Sequence, residues 1–325
     1  MQGRVKKMVE KTLNGEMFAD PVSVKFDRED LFLSKQKRES KQICEYILNQ
    51  EPVLTKYSKM TGFFNFDYSG VVGDAFRRMG HKCFDELQEK FYLKPIDNLS
   101  TFEWQHATAD FKKVLEKGIS GIIAEIDESL KMYSGKEETE FLEALRQIAE
   151  TLIKWAEKCS QKALELSKTV DNPEYKKNLE VLSKALLNVP KNKPASFYEA
   201  VLTIYICFSA DPDSIGTLDR FLTPFYVADI RNGNLTKDEA KEYLQELFLM
   251  IQAATRADDC RFTRGGESHF CIGGYLPNGE DAFNEVSKLI LESLLELPTW
   301  IPQVTLRWTK KTPREIFRFV LDCER

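Results

Sequence analysis

Apolar positions recur at helical spacing along most of the chain. From Asp110 to Leu130 the residues Phe111, Val114, Leu115, Ile119, Ile122, Ile123 and Ile126 form one stripe, which predicts a core-facing helix. Gly118 and Gly121 interrupt it and offer room for another helix to approach. The runs Glu137–Ser167 and Pro173–Leu187 predict a long helical hairpin, with Leu142, Leu145, Ile148, Ala149, Leu152, Ile153 and Trp155 on one face and Glu and Lys opposite. A single hairpin with an irregular stripe reads as a bundle face inside this chain rather than a coiled-coil partner site. Earlier, Arg28–Leu48 and Gly73–Phe91 are amphipathic, separated by the aromatic cluster Phe63–Tyr68, read as a plug under a helix because large rings supply much of the area a core buries.

The pattern changes near residue 195. Two short apolar runs bounded by Gly and Pro, His269–Tyr275 and Gln303–Trp308, predict strands set between helical segments. Ser196 is placed to cap the helix that follows, with Glu199 three residues on. Thr236 with Glu239, and Thr312 with Glu315, have the spacing of capping boxes, in which the hydroxyl accepts from an amide one turn in and the Glu reaches back to the Thr amide. Alternating strand ends and helix starts predict an α/β core, a barrel or a wound sheet, entered from a helix-rich front.

Composition narrows the partners. The 325 residues are 30% charged with a net charge of −5, which provides no basic field for nucleic acid. The basic start lacks an apolar leader core, and no window approaches the ~20 apolar residues needed to span a bilayer. A cytoplasmic protein without membrane contact is therefore the expectation. Seven cysteines, odd in number and without a CxxC pair, predict reduced thiols and no disulfide framework.

Three simple chemistries fail on spacing. Asp211, Asp213 and Gly216 suggest a calcium loop, but Ile215 and Leu222 stand where oxygen ligands are needed. His269, Cys271 and Cys260 suggest zinc, yet no fourth ligand has matching spacing, so core packing is the expectation for them. Gly265-Gly266 lacks the following Lys-Ser or Lys-Thr of a phosphate loop, and Gly273-Gly274 precedes a turn.

One ordered set of residues does carry a family likeness. Pro224, Phe225 and Tyr226 with Asp229, Gly233 and Leu235 are followed by Ile272-Gly273-Gly274, Asn278-Gly279, Asp281-Ala282, Asn284-Glu285-Val286-Ser287 and Pro302-Gln303. Together these resemble the glycyl radical enzymes of the pyruvate formate-lyase superfamily, most of all their dehydratase and lyase branch. The likeness continues more weakly upstream through Phe197 to Ala200 and through His106, Asp110 and Phe111. It implies an α/β fold with residues 1–195 as a helical N-terminal part and 196–325 as the start of a ten-stranded β/α barrel, the first half of it.

The same resemblance implies site residues. The position of His106 points into the family's substrate cavity, where His can donate to a hydroxyl or carboxylate. Asp213 and Ser214 match a polar pair that contacts substrate. Thr217 and Arg220 depart from the family's usual Arg and Gln, and Asp219 is expected to hold only a turn. Arg307 and Trp308, at the end of a strand, are expected to be scaffold.

The family's radical chemistry requires a glycyl radical, installed by a separate S-adenosylmethionine and iron–sulfur activase, and a cysteine loop. Neither a Gly-Cys loop nor an Arg-Val-x-Gly-Tyr loop occurs in these residues, and Cys323 lies in a helical run. No catalytic residue and no bound cofactor are therefore expected here. The expectation is the N-terminal portion of an anaerobic radical dehydratase or lyase for a small polar molecule, inactive alone. Its partners would be the substrate, an activating enzyme, and a C-terminal half or a second copy. The alternative is a degenerate remnant serving as a binding or scaffold module. An isolated half-barrel is expected to expose strand edges and an apolar interior.

Overall fold

The computed structural model describes residues 3–14, 28–62, 108–210, 214–254, 269–299 and 301–323. The Phe63–Tyr68 cluster, the Gly73–Phe91 run, His106, Asp213 and Cys260 lie outside them. Helices α1 (Gly3–Leu13) and α2 (Lys35–Asn49) precede a helical layer of α3 (Phe111–Met132), α4 (Lys136–Ser167) and α5 (Pro173–Asn188). Then come α6 (Phe197–Ala210), β1 (Ser214–Thr217), α7 (Leu218–Arg231), α8 (Lys237–Ala254), β2 (His269–Gly273), α9 (Glu285–Leu295), β3 (Val304–Arg307) and α10 (Arg314–Cys323).

The helical hairpin is α4 against α5, and α2 packs on the other side of α4. Trp155 is fully buried there, and its indole N–H donates to the Gln50 carbonyl at 2.9 Å, which ties α4 to the end of α2. Thr151 donates to Cys44 Sγ across the same interface. The C-terminal part of the apolar stripe, Leu152 and Trp155, is thus buried within the chain, while Leu145 stays exposed.

Gly118 does something other than admit a helix. Its φ of 67° and ψ of 170° break α3 into two helical pieces. The freed amides of Ile119 and Ser120 donate to the carbonyls of Pro190 and Lys191, both at 2.9 Å, so loop backbone enters the break. A Cβ on Gly118 would sit 2.4 Å from the Asn192 carbonyl carbon. Gly118→Ala is accordingly expected to cost about 2 kcal/mol, from the forbidden dihedral and the backbone contact together, measured as a lowered urea midpoint.

The core lies where α6 and α8 meet the sheet. Helix α6 is buried all round, and Phe197, Val201, Tyr205 and Phe208 have no exposure. Phe248 of α8 stacks on Phe270 of β2, centroids 5.7 Å apart and planes 11° from parallel. Burying each such ring contributes roughly 2–3 kcal/mol. The caps at Ser196 and Thr236 are formed: Glu199 N donates to Ser196 Oγ, and Thr236 and Glu239 exchange both bonds of the box. Thr312 departs from expectation. Its hydroxyl accepts from Thr309 N and donates to Asp281, so it ties the β3–α10 connection to the turn after β2 instead of completing a box with Glu315.

The strands form one parallel sheet in the order β1-β2-β3. Strand β1 falls in a stretch where the sequence predicted no strand, and a register shift between Ser214 and Gly216 kinks it. Gly216, at φ 74°, accommodates that shift.

Candidate functional site

Alternation along the three strands separates two faces. Ile215, Phe270, Ile272, Val304 and Leu306 turn toward the helices, and the first three are fully buried. Ser214, Thr217, His269, Cys271, Thr305 and Arg307 occupy the other face, half-buried or exposed. In register, Ser214 pairs with His269, Cys271 lies between Thr217 and Thr305, and Gly273 lies beside Arg307. A parallel sheet is ordinarily apolar on both faces because helices cover both. Here the face left uncovered by the described residues carries hydroxyls, an imidazole, a thiol and a guanidinium.

His269 and Cys271 are therefore not core residues. His269 Nε2 lies 2.8 Å from Thr305 Oγ1 and 3.9 Å from Cys271 Sγ. Burial pushes the Cys271 thiol up from its ordinary value, and the charge of Arg307 opposes that rise. Among the described residues no group of three or more His, Cys, Asp or Glu side chains is arranged to hold a metal ion.

At the C-terminal ends of the strands, a buried acid fixes the geometry. Asp219, in the first turn of α7, has no exposure. Oδ2 accepts from Gly273 N at 2.8 Å and from Ser287 Oγ at 2.6 Å, while Oδ1 accepts from Arg220 N at 2.8 Å. One carboxylate thus joins the start of α7 to the end of β2 and to α9, which is far more than the turn expected of it. Burial raises its pKa, against the lowering pull of Ser287, Gly273 and Arg220. Ser287 also closes a capping box with Asn284 at the start of α9.

Arg220 extends from the same turn and donates through Nη2 to the carbonyls of Gly273 and Tyr275, at 2.8 and 2.7 Å. Its departure from the family's usual residue therefore has a backbone-holding role here. Arg307 shares the uncovered face, and Trp308 beyond it is 63% exposed and edge-on to Phe317.

Of the three residues singled out from sequence, Ser214 is the one within the described structure. It lies half-buried on β1, bridged to Thr108, and its Oγ accepts from Gly216 N at 3.1 Å. Among the described residues no acceptor takes its hydroxyl proton, so it is free to donate. Sequence reasoning passed over Thr217, His269, Cys271, Thr305 and Arg307 as site residues. The alternation Val304-Thr305-Leu306-Arg307 was the available signal.

Isethionate sulfite-lyase of Oleidesulfovibrio alaskensis is 29% identical over 259 residues, covering 73% of this chain and 31% of that protein. Trans-4-hydroxy-L-proline dehydratase of Clostridioides difficile is 26% identical over 227 residues, 65% of this chain and 28% of that one. Among solved structures, the C. difficile hydroxyproline dehydratase with its substrate bound superposes with a TM-score of 0.76 at 18% identity. A structure concerned with 1,2-propanediol dehydration in Roseburia inulinivorans gives 0.77 at 15%. These two cover 99% of this chain and 50% and 49% of theirs, which establishes the barrel fold of glycyl radical enzymes. The chain spans about a third of the length of the curated relatives and about half of the solved structures. The family model described as pyruvate formate lyase-like matches residues 75–325, and the chain belongs to that family of glycyl radical enzymes.

Proposed function

We propose that these residues form one half-barrel of a glycyl radical lyase or dehydratase, and that the uncovered face of the sheet lines its substrate cavity. The observation that carries this reading is the polar face on a parallel sheet. Uncovered hydroxyl, imidazole and guanidinium groups are stable there when the space in front of them holds water or a polar ligand. Ligands in open α/β sheets bind at the C-terminal ends of strands, where Asp219 fixes the Gly273 turn.

In this reading Ser214 donates its free proton to a substrate hydroxyl or carboxylate, and Asp213 and His106 contact the same molecule. The lyase and dehydratase names of the relatives support a small polar substrate that loses a C–X or C–C bond. The protein radical of the family, installed by an activating enzyme, supplies hydrogen abstraction. No Gly-Cys loop is present among the 325 residues, so this segment alone is inactive and contributes binding and orientation.

The test is the native polypeptide, detected in its source cells with an antibody to the α4–α5 hairpin. A mass well above that of Met1–Arg325, or a co-purifying second chain, is expected, together with a glycyl radical signal by electron paramagnetic resonance after anaerobic activation. A chain of this mass alone that gives no radical with the activase would overturn the proposal and favour a binding module.

A further inference from the structure

Among the described residues, the outward face of the sheet carries one cation and no acid. Arg307 ends β3, and its register partner Gly273 contributes no side chain. Its guanidinium carbon lies 3.5 Å from where a Cβ on Gly274 would stand, and Arg220 Nη2 approaches the same point at 3.1 Å. Two guanidinium groups thus converge on one turn, but they are differently engaged. Arg220 is committed to the Gly273 and Tyr275 carbonyls. Arg307 is exposed, and among the described residues no carboxylate pairs with it. Asp219 does not neutralise it, because that carboxylate is buried and its oxygens are taken by Gly273, Ser287 and Arg220.

Donors stand beside this cation. Thr305 lies two residues back on the same face of β3, about 7 Å away along the strand, and His269 Nε2 is 2.8 Å from its hydroxyl. When Nε2 carries the proton, the imidazole donates to Thr305 and leaves the hydroxyl proton free to point at a ligand. An oxyanion selects that tautomer. An aqueous neutral polyol gains no comparable advantage from an unpaired guanidinium, whereas a carboxylate or sulfonate forms charge-assisted, paired bonds to it.

Building on the cavity reading above, we infer that Arg307, with Thr305 and His269 beside it, binds an anionic oxygen group of the substrate, a carboxylate or sulfonate, so that this enzyme acts on a small acid rather than a neutral polyol.

The experiment uses isotope-labelled 325-residue chain and three probes: glycolate, its neutral counterpart ethylene glycol, and methanesulfonate. Glycolate and methanesulfonate are expected to shift the Arg307 side-chain and Thr305 and Gly274 amide resonances, with ethylene glycol at least about tenfold weaker. Added salt weakens the anion response. Arg307→Gln lowers glycolate affinity about tenfold or more, and Arg307→Lys restores part of it, since a point charge lacks the paired donors. Thr305→Val alters one exposed hydroxyl and lowers it about threefold, which keeps the test valid should Arg307→Gln disturb β3. Equal responses to glycolate and ethylene glycol, or glycolate binding unchanged in both variants, overturn the anion assignment and leave the cavity reading standing. No response of these residues to any probe overturns both.

Discussion

Glu246→Ala is expected to destabilise the chain by about 3–5 kcal/mol, measured by urea unfolding, and to release α1 to protease before the remainder unfolds. Glu246 sits on α8 without exposure. Its Oε2 pairs with Arg4 Nη1 at 2.6 Å, and its Oε1 accepts from the amides of Lys59 and Met60 at 2.6 and 2.9 Å. One carboxylate therefore holds both the first helix and the segment ending at residue 62. Truncation orphans two amides and strips the closer carboxylate from a guanidinium that is only 9% exposed, leaving it Glu242 at 3.3 Å and the Tyr57 carbonyl at 2.7 Å. Arg4→Met is expected to be milder, at about 1–2 kcal/mol, because Glu246 retains both amide donors. Adding Arg4→Met to Glu246→Ala should not rescue stability, since the amides stay unpaired. Rescue would show that the ion pair, and not the amide clasp, dominates.

A comparable loss, about 3–4 kcal/mol, is expected for Asp219→Ala, which leaves Gly273 N–H and Ser287 O–H buried without an acceptor. Asp219→Asn is the sharper probe. The asparagine is nearly isosteric, but its amide must present a donor to one of two fixed backbone N–H groups, those of Gly273 and Arg220. A loss of about 2 kcal/mol is expected by denaturant titration. Retention of full stability by Asp219→Asn would mean that the residue fills space without fixing the turn. Because Gly273 sits beside Arg307, either variant should also displace the Arg307 side-chain resonance.

Much of this was legible in the sequence. The helices between Phe111 and Asn188 were readable because their stripes are long, and the cap at Ser196 and Glu199 because it is local. Strands β2 and β3 were readable from short apolar runs between Gly and Pro. Strand β1 was not, since four residues including a glycine carry no pattern and become a strand by pairing with β2. The role of Asp219 was hidden for a related reason. Its partners Gly273 and Ser287 are 54 and 68 residues away, and nothing local to a single acid reveals them. Thr312 had the right neighbour for a capping box, but Asp281 competes for its hydroxyl, and that competitor is brought near only by the fold. His269 and Cys271 were assigned to the core because no fourth zinc ligand had matching spacing, and alternation alone says that two residues share a face without saying which. The family likeness singled out Ser214, and reading the rest of its face needed the sheet register.

The two-faced sheet also bears on how such a protein changes over time. Residues that keep the strands in place, Ile215, Phe270, Ile272, Val304 and Leu306, alternate with those that face outward, so no position serves both ends. Substitution at an exposed position such as Thr305 typically alters stability by no more than about 0.5 kcal/mol. In the cavity reading proposed above, a lineage can exchange one ligand preference for another along the outward row at little cost to the fold. The evolvable surface and the rigid framework are interleaved at single-residue spacing.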